Sequence, residues 1–111
     1  MNKTIANGVF NAYDNISVKS CGESTIYAFD KSTIYAGDNS TIYAYDNSII
    51  YAYNKSIIHA DGDSTIYAYN NTIVIIDFFS NSQKENIKLF DNAILIDYRA
   101  KTVCLSEGWG N

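Results

Sequence analysis

The sequence contains few of the residues that build catalytic, metal and phosphate-binding sites. It has no proline, one histidine, two cysteines and six glycines. A single histidine forms no ligand cluster, two distant cysteines form no four-ligand zinc site, and the scattered glycines form neither a phosphate loop nor a nucleophile elbow. The absence of proline is compatible with uninterrupted strand ladders. We therefore expect a protein that is not an enzyme and that uses neither a metal nor a cofactor.

Apolar runs long enough to cross a membrane are also absent, and residues 1–10 carry one lysine without the apolar stretch of a signal peptide. These absences predict no membrane partner. They predict a cytoplasmic protein, located in the host cytoplasm if a phage encodes it.

What the sequence has in abundance is a short repeat. The phrase Ser-Thr-Ile-Tyr-Ala occurs at Ser24–Ala28, Ser32–Ala36, Ser40–Ala44 and Ser64–Ala68, with close variants at Ser48–Ala52 and Ser56–Ala60. The frame runs as eight octads over residues 8–71, and residues 72–77 form an atypical last unit. A fixed short period is typical of a solenoid, in which each unit buries its apolar face against its neighbours.

Within each octad, alternation with period two separates the side chains cleanly, whereas a helical period of 3.6 does not. Counted from the serine, positions one, three and five (Ser, Ile, Ala) share one face, and positions two, four and six (Thr, Tyr, Tyr or Phe) share the other. The smaller set is predicted to point inward, because three large side chains per strand would overfill a narrow interior. Positions seven and eight are mostly Asp, Asn, Lys or Gly, which are typical of a corner.

One strand cannot close a coil, so we expect two octads per coil. The predicted fold is an all-β β-solenoid (β-helix) with two octapeptide strands in each 16-residue coil, stacked at roughly 4.8 Å. We expect one domain over residues 1–111, with the repeat at 8–79 and a C-terminal cap and possible dimerisation segment at 80–111. Cys21 and Cys104 would lie in the first and last coils, too far apart for a disulfide.

This octad pattern, seen in Ser32–Ala36 and its copies, resembles the bacterial ice-nucleation proteins, whose tandem 16-residue coils also divide into octads of the Ser-Thr-x-Thr-Ala type. The resemblance covers about 64 of the 111 residues and implies architecture. Here Thr-Ile-Tyr replaces Thr-x-Thr, so a phenol stands where that family has a second hydroxyl and methyl group. This departure argues against ice binding.

Charge is concentrated in the repeat. Residues 8–71 hold seven acids against three bases, which accounts for the whole net charge of −4. Asp14, Asp30 and Asp46 are 16 positions apart and are predicted to form a vertical row along one corner. Two interpretations remain open: turn chemistry with charge for solubility, or an acidic edge that competes with nucleic acid for a basic groove.

The same numbering places the aromatic residues in outward rows. These are Tyr27, Tyr43 and His59 on one sheet; Tyr35, Tyr51 and Tyr67 on the other; and, at position six, Tyr13, Phe29 and Tyr45 with Tyr53 and Tyr69. Stacked rings stabilise neighbouring strands. A flat tyrosine surface also suits protein binding, because tyrosine offers a large contact area at low entropic cost. Self-association through such a row is a third possibility.

The repeat breaks around His59, Asp61 and Asp63: His59 replaces a Tyr, Asp61 replaces a Tyr or Phe, and Asp63 follows at the corner. One imidazole and two carboxylates are too few for a metal or acid–base site. A local recognition spot or simple drift of the repeat is the better interpretation.

The C-terminal part leaves the repeat at residues 80–92, where Gln83–Phe90 is expected as a short helix or loop, and strands resume at Ala93–Tyr98 and Lys101–Leu105. Outward positions there become apolar: Ile73, Ile75, Ile94 and Ile96, joined by Phe78 and Phe79. Either residues 80–92 cover this surface or a second copy does. We favour a homodimer built at this end, since isologous dimers are the commonest solution.

Two classes of function fit these observations. In the first, the protein is a non-catalytic inhibitor that binds a protein partner, such as a basic nucleic-acid-binding enzyme, and does not bind nucleic acid itself; a phage anti-CRISPR protein is one form of this hypothesis. In the second, it is a structural or self-assembling protein, such as an ice-nucleation-like or fibre segment. The short array and the lack of an export signal favour the first.

Overall fold

The computed structural model describes residues 2–5, 8–20 and 22–106 of the chain. In those residues the protein is all-β. The strands are β1 Asn2–Ile5, β2 Gly8–Ala12, β3 Ser17–Ser20, β4 Ser24–Ala28, β5 Thr33–Ala36, β6 Thr41–Ala44, β7 Ile49–Ala52, β8 Ile57–Ala60, β9 Thr65–Ala68, β10 Ile73–Ile76, β11 Ile87–Leu89, β12 Ile94–Asp97 and β13 Thr102–Leu105. One turn of 3-10 helix, Lys84–Asn86, precedes β11.

Alternate strands belong to two different sheets. Sheet 1 has the order β1-β3-β5-β7-β9-β11, and sheet 2 has the order β13-β12-β10-β8-β6-β4-β2. Within the repeat, neighbours pair in parallel with an offset of 16 residues, as in Tyr27 beside Tyr43 and Tyr35 beside Tyr51. The predicted β-solenoid of two strands per 16-residue coil is therefore confirmed.

The core is a thin layer between the sheets, built from isoleucine and alanine. Ile26, Ile42 and Ile58 project inward from sheet 2, and Ile34, Ile50 and Ile66 from sheet 1; all six are fully buried. The position-one serines are buried as well. Several of their hydroxyls donate to the carbonyl three residues earlier, as Ser40 does to Gly37 (2.6 Å) and Ser56 to Tyr53 (2.7 Å). The Ser, Ile and Ala side chains that were predicted to point inward are therefore the ones that are buried.

The two corners of each coil differ in backbone conformation. After the sheet 2 strands one residue takes positive φ, namely Asp14, Asp30 or Asp46 (60°, 58° and 56°). After the sheet 1 strands two consecutive residues do so, as in Asn70 (51°) and Asn71 (65°). Asp and Asn tolerate this left-handed region better than other non-glycine residues, which explains their recurrence at positions seven and eight.

Both ends of the array depart from the repeat. At the first, β1 adds a strand below β3 that the octad pattern does not predict. At the other, Ile73 pairs with Ile94, 21 positions on instead of 16. Five extra residues therefore lie between β10 and β11. We call residues 77–86 the insert.

Beyond the insert, β11 rejoins sheet 1 in parallel, and β13 folds back antiparallel on β12. Residues 80–92 thus contain one helical turn and a strand of the solenoid.

Candidate binding surfaces

The outer faces of both sheets carry columns of parallel rings. On sheet 2 these are the Tyr13 column (Tyr13, Phe29, Tyr45) and the Tyr27 column (Tyr27, Tyr43, His59); on sheet 1 they are the Tyr35 column (Tyr35, Tyr51, Tyr67) and the Tyr53 column (Tyr53, Tyr69, Phe90). Ring centroids within the columns lie 4.5–5.2 Å apart. The solenoid repeat imposes this spacing, because each ring sits one strand above the last.

Two phenols of these columns, Tyr45 and Tyr53, have a raised pKa. Burial raises the pKa of Tyr45, and the Asp61 carboxylate, which is next in that column, raises it further. Burial also raises the pKa of Tyr53, with a smaller contribution from Tyr69. At neutral pH both hydroxyls therefore remain protonated and can donate hydrogen bonds.

Asp14, Asp30 and Asp46, which we call the acidic corner, stand one above another beside the Tyr13 column. The backbone N–H of Asp14 donates to Oδ2 of Asp30, and that of Asp30 donates to Oδ2 of Asp46, both at 3.0 Å. The carboxylates thus tie successive coils together while remaining at the surface. A groove of about 480 Å³ runs along them and is also lined by Asn15, Lys31 and Asn47.

The row of carboxylates ends at Gly62, which takes the position above Asp46. Its φ of 61° is left-handed, and a Cβ there would lie 2.8 Å from the backbone nitrogen of Asp46. A further aspartate cannot be accommodated at this corner without a shift of the backbone. Both corner roles of Asp, turn former and surface charge, are present together in the three acidic residues.

The residues at the repeat break around His59 contact the insert. The His59 ring stacks on Tyr43 at 4.5 Å, and its Nδ1 lies 3.7 Å from Oδ2 of Asp77. Oδ1 of Asp61 accepts the backbone N–H of Gly62 (2.7 Å) and that of Asn81 (3.4 Å). These contacts fasten the insert to the preceding coil.

Asp63 is exposed. Among the described residues no group of three or more His, Cys, Asp or Glu side chains is placed to hold a metal ion.

The outer face of sheet 2 becomes apolar toward the C-terminal end. The register places Ile57, Ile73, Ile94 and Leu105 in one row and Ile75, Ile96 and Val103 in the next. We call these seven residues the C-terminal apolar face. Val103 is 60% exposed and Leu105 52% exposed.

Phe78 and Phe79, which the sequence groups with this face, lie on the insert, and Phe79 is 94% exposed. Residues 87–89 lie in sheet 1, so this part of the 80–92 segment does not cover the apolar face. Val103 and Leu105 were missed by sequence reasoning. Their alternation with Thr102 and Cys104 is a signal that would have found them once β13 was paired with β12.

Sequence reasoning also missed the ion pair between Arg99 and the buried carboxylate of Asp97. Asp97 is 2% exposed and accepts hydrogen bonds from Nε of Arg99 (3.2 Å) and from the Arg99 backbone N–H (3.0 Å). The Arg99 hydrogen bond lowers the pKa of the Asp97 carboxyl, in opposition to burial, which raises it. Lys84 of the insert lies 3.5 Å from the same carboxylate. This cluster is a fixed structural element at the end of the solenoid.

Cys104 is half-buried and forms no disulfide in the part of the chain that the structure describes. Cys21 lies outside the described residues, so the predicted separation of the two thiols stays a prediction. In the described ranges there is no helix with the length and apolar character of a membrane span.

Comparison of the chain with protein families, curated proteins and solved structures found no match.

Proposed function

We propose that this chain is a non-catalytic binding protein that blocks a basic, nucleic-acid-binding enzyme. The observation that carries the proposal is the acidic corner: three surface carboxylates at successive coils beside the Tyr13 column. Two of them are held by backbone N–H groups of the neighbouring coil. Such a rigid row loses little conformational entropy when it binds a partner.

Electrostatics supports this use of the corner. Carboxylates separated by roughly 4.8 Å lie well within the Debye length of about 8 Å at physiological salt, so a partner experiences them as one negative stripe, whose charge Lys31 offsets in part. A basic groove that normally neutralises phosphates would be attracted to this stripe in the same salt-dependent way. The stacked rings beside it supply hydroxyl groups and flat apolar surface.

The test removes charge without removing the turn. Asp14→Asn, Asp30→Asn and Asp46→Asn together retain an oxygen acceptor and a residue that tolerates positive φ. A matched control, Asp38→Asn, Asp63→Asn and Asp91→Asn, removes the same charge elsewhere on the molecule. Each protein is used to capture partners from a bacterial lysate at rising salt, and the recovered nucleic-acid-binding enzymes are assayed for inhibition.

We expect the corner variant to weaken capture and inhibition roughly 3- to 100-fold, as the loss of three exposed charge contacts implies, while the control stays close to the unsubstituted protein. Equal behaviour of the two variants would contradict the proposal. Recovery of only the protein itself would favour self-assembly instead.

Self-association has its own support in the C-terminal apolar face. Val103 and Leu105 are more than half exposed and continue the rows of isoleucines on β10 and β12. Among the described strands, the one that carries them is the last of its sheet, so its outer edge has no partner strand in that part of the chain. As a second candidate we propose a homodimer that buries this face together with Phe78 and Phe79.

The dimer is tested by light scattering coupled to size-exclusion chromatography. Val103→Lys with Leu105→Lys is expected to convert a dimer to a monomer. Val9→Lys is the control, because Val9 is 68% exposed in the same outward position at the opposite end of sheet 2. A monomeric unsubstituted protein, or dissociation by Val9→Lys alone, would exclude this interface.

A further inference from the structure

The Tyr53 column lacks one ring. Tyr53, Tyr69 and Phe90 stack with centroids 5.0 and 4.8 Å apart. One coil earlier the same position is Gly37, since Ala36 pairs with Ala52 and the N–H of Tyr53 donates to the carbonyl of Ala36 at 2.8 Å. One face of the Tyr53 ring is covered by Tyr69. The other face looks onto a position without a side chain.

The backbone does not require glycine at this position. Gly37 is not among the described residues with positive φ, and a Cβ on it would meet only the carbonyl oxygen of Ser20, at an ordinary 3.5 Å. Gly62 is the contrast, because its positive φ and the close Asp46 backbone both exclude a side chain. What Gly37 contributes is therefore the open space itself.

This space is a surface cavity of about 400 Å³, which we call the aromatic slot; it is lined by Gly37, Tyr53, Tyr35, Lys19 and Asp38. Its size is within the range of roughly 300–1,000 Å³ that is usual for small-molecule sites. Its lining combines two aromatic side chains, Tyr35 and Tyr53, with two charged ones, Lys19 and Asp38.

One cation and one carboxylate, Lys19 and Asp38, line the slot. Oδ1 of Asp38 accepts a hydrogen bond from Nδ2 of Asn54 at 3.1 Å, so one oxygen of that carboxylate is already engaged and Lys19 is the charged group left to pair with a ligand. Lys19, whose position is in register with Tyr35, forms no ion pair with the described residues. An ammonium group thus stands beside a stacking surface.

We propose that the aromatic slot binds a small planar aromatic anion, whose ring stacks on Tyr53 in the place of the missing side chain and whose anionic group pairs with Lys19. The inference is independent of the acidic corner, which lies after the strands of the other sheet. A single ring on a shallow surface implies weak binding, with a Kd on the order of 1 mM.

The probe for this site is 4-hydroxyphenylacetate, a tyrosine-like ring with a carboxylate, and 4-methylphenol is its uncharged counterpart. Binding is followed by NMR titration of the full-length protein, through the Gly37 amide, the Tyr53 ring and the ring-current shifts of the probe. We expect saturable shifts at these two residues. We expect the uncharged probe to bind roughly 2- to 5-fold more weakly, and Lys19→Met to remove that difference.

Two substitutions at Gly37 distinguish specific binding in the aromatic slot from nonspecific binding of the probe to the protein surface. Gly37→Tyr completes the column from within the chain, so it should abolish probe binding and raise Tm by roughly 2–8 °C. Gly37→Ala leaves the space open and should keep binding within about 2-fold, because its Cβ makes only an ordinary contact. Tyr53→Leu should weaken binding at least about 5-fold.

Probe binding that survives in Gly37→Tyr, or an absence of saturable shifts at Gly37 and Tyr53 in the unsubstituted protein, would overturn the inference. A rise in the Tm of Gly37→Tyr would show that this variant is folded, so a loss of probe binding in it could not be ascribed to unfolding.

Discussion

Nη1 of Arg99 donates a hydrogen bond to the backbone carbonyl of Ser82 at 2.7 Å, and so holds the insert against the last hairpin of the solenoid. The same guanidinium reaches the carbonyl of Ser80 at 3.1 Å, while its Nε pairs with Asp97 at 3.2 Å. One buried carboxylate therefore orients one arginine, which in turn satisfies two backbone acceptors of the insert. Phe78 and Phe79 are presented by a segment that is anchored in this way.

Removal of Asp97 should destabilise the protein strongly. Asp97→Ala removes the carboxylate that orients Arg99, a side chain that is itself 29% exposed, and the loss of a hydrogen bond between charged groups costs about 1.5–3 kcal/mol. Glu85→Ala is the control, since Glu85 is an exposed acid of the same insert, and it should change the free energy of unfolding by no more than about 0.5 kcal/mol. Urea denaturation monitored by circular dichroism measures both. Equal values for the two variants would show that the Asp97–Arg99 pair does not hold this end together.

The Asp97 pair also predicts how stability depends on pH. Because the folded-state pKa of Asp97 is lowered from its ordinary value of 3.8 by the Arg99 hydrogen bond, the pair contributes fully above that value. The contribution is lost as pH falls below 3.8 through the folded-state pKa. Tm measured by calorimetry from pH 7 to pH 2.5 should therefore fall at the acid end, and Asp97→Asn should show a shallower fall. An identical acid profile in the variant would contradict this assignment.

The repeat and the insert differ in how far they can be predicted from sequence. An offset of 16 places Tyr27 beside Tyr43, because the octads are in phase and two strands are needed to close a coil. The same offset brings Asp14, Asp30 and Asp46 together at one corner. In these regions local pattern and tertiary contact carry the same information.

Elsewhere the contacts depend on residues that occur once. Arg99 reaches Ser80 and Ser82 across 19 and 17 positions, and nothing in the spacing of these residues signals the contact. The strand β1 has no Ser-Thr-Ile-Tyr-Ala phrase, so it is defined by pairing with β3 alone. The aromatic slot was missed because Gly37, at position six of its octad, was not considered among the outward positions.

Gly62 and Gly37 should respond in opposite ways to the same substitution. Gly62→Ala places a Cβ 2.8 Å from the Asp46 backbone nitrogen at a φ of 61°, and we expect a loss of about 1–3 kcal/mol in the free energy of unfolding. Gly37→Ala has no such contact and should be neutral or stabilising by up to about 1 kcal/mol, because alanine restricts the unfolded chain. Chemical denaturation of both variants decides the point. A neutral Gly62→Ala would mean that the corner relaxes freely.

Neighbouring isoleucines of β7 provide a test of the inward and outward faces. Ile50 is fully buried, whereas Ile49 is partly exposed in a row where Thr33 and Thr65 are its neighbours. Ile50→Ala should cost about 2–5 kcal/mol through lost burial and a cavity. Ile49→Thr restores the residue type of its row and should stay within about 0.5 kcal/mol. A larger effect at Ile49 than at Ile50, measured by urea denaturation, would require the opposite face to be the core.

The contribution of ring stacking to stability can be measured by comparing a ring inside a column with a ring at the end of one. Tyr51 has a ring on each side, with centroids 5.2 Å from Tyr35 and 5.1 Å from Tyr67, whereas Tyr13 ends its column and stacks only on Phe29, at 5.0 Å. At about 0.5–1.5 kcal/mol per aromatic pair, Tyr51→Leu should cost about 1–3 kcal/mol and Tyr13→Leu about half of that. Leucine keeps apolar cover over the sheet, so the difference reports mainly on the rings.

A double-mutant cycle of Tyr51→Leu with Tyr67→Leu isolates one such pair. We expect a coupling free energy within the same range of about 0.5–1.5 kcal/mol. A coupling of zero would mean that the columns contribute no pairwise stability, and that their regular spacing is only a consequence of the strand ladder beneath them. In that case ring pairing would not account for the abundance of tyrosine, which would have to be explained by each ring's cover of the sheet or by the surface that the rows present.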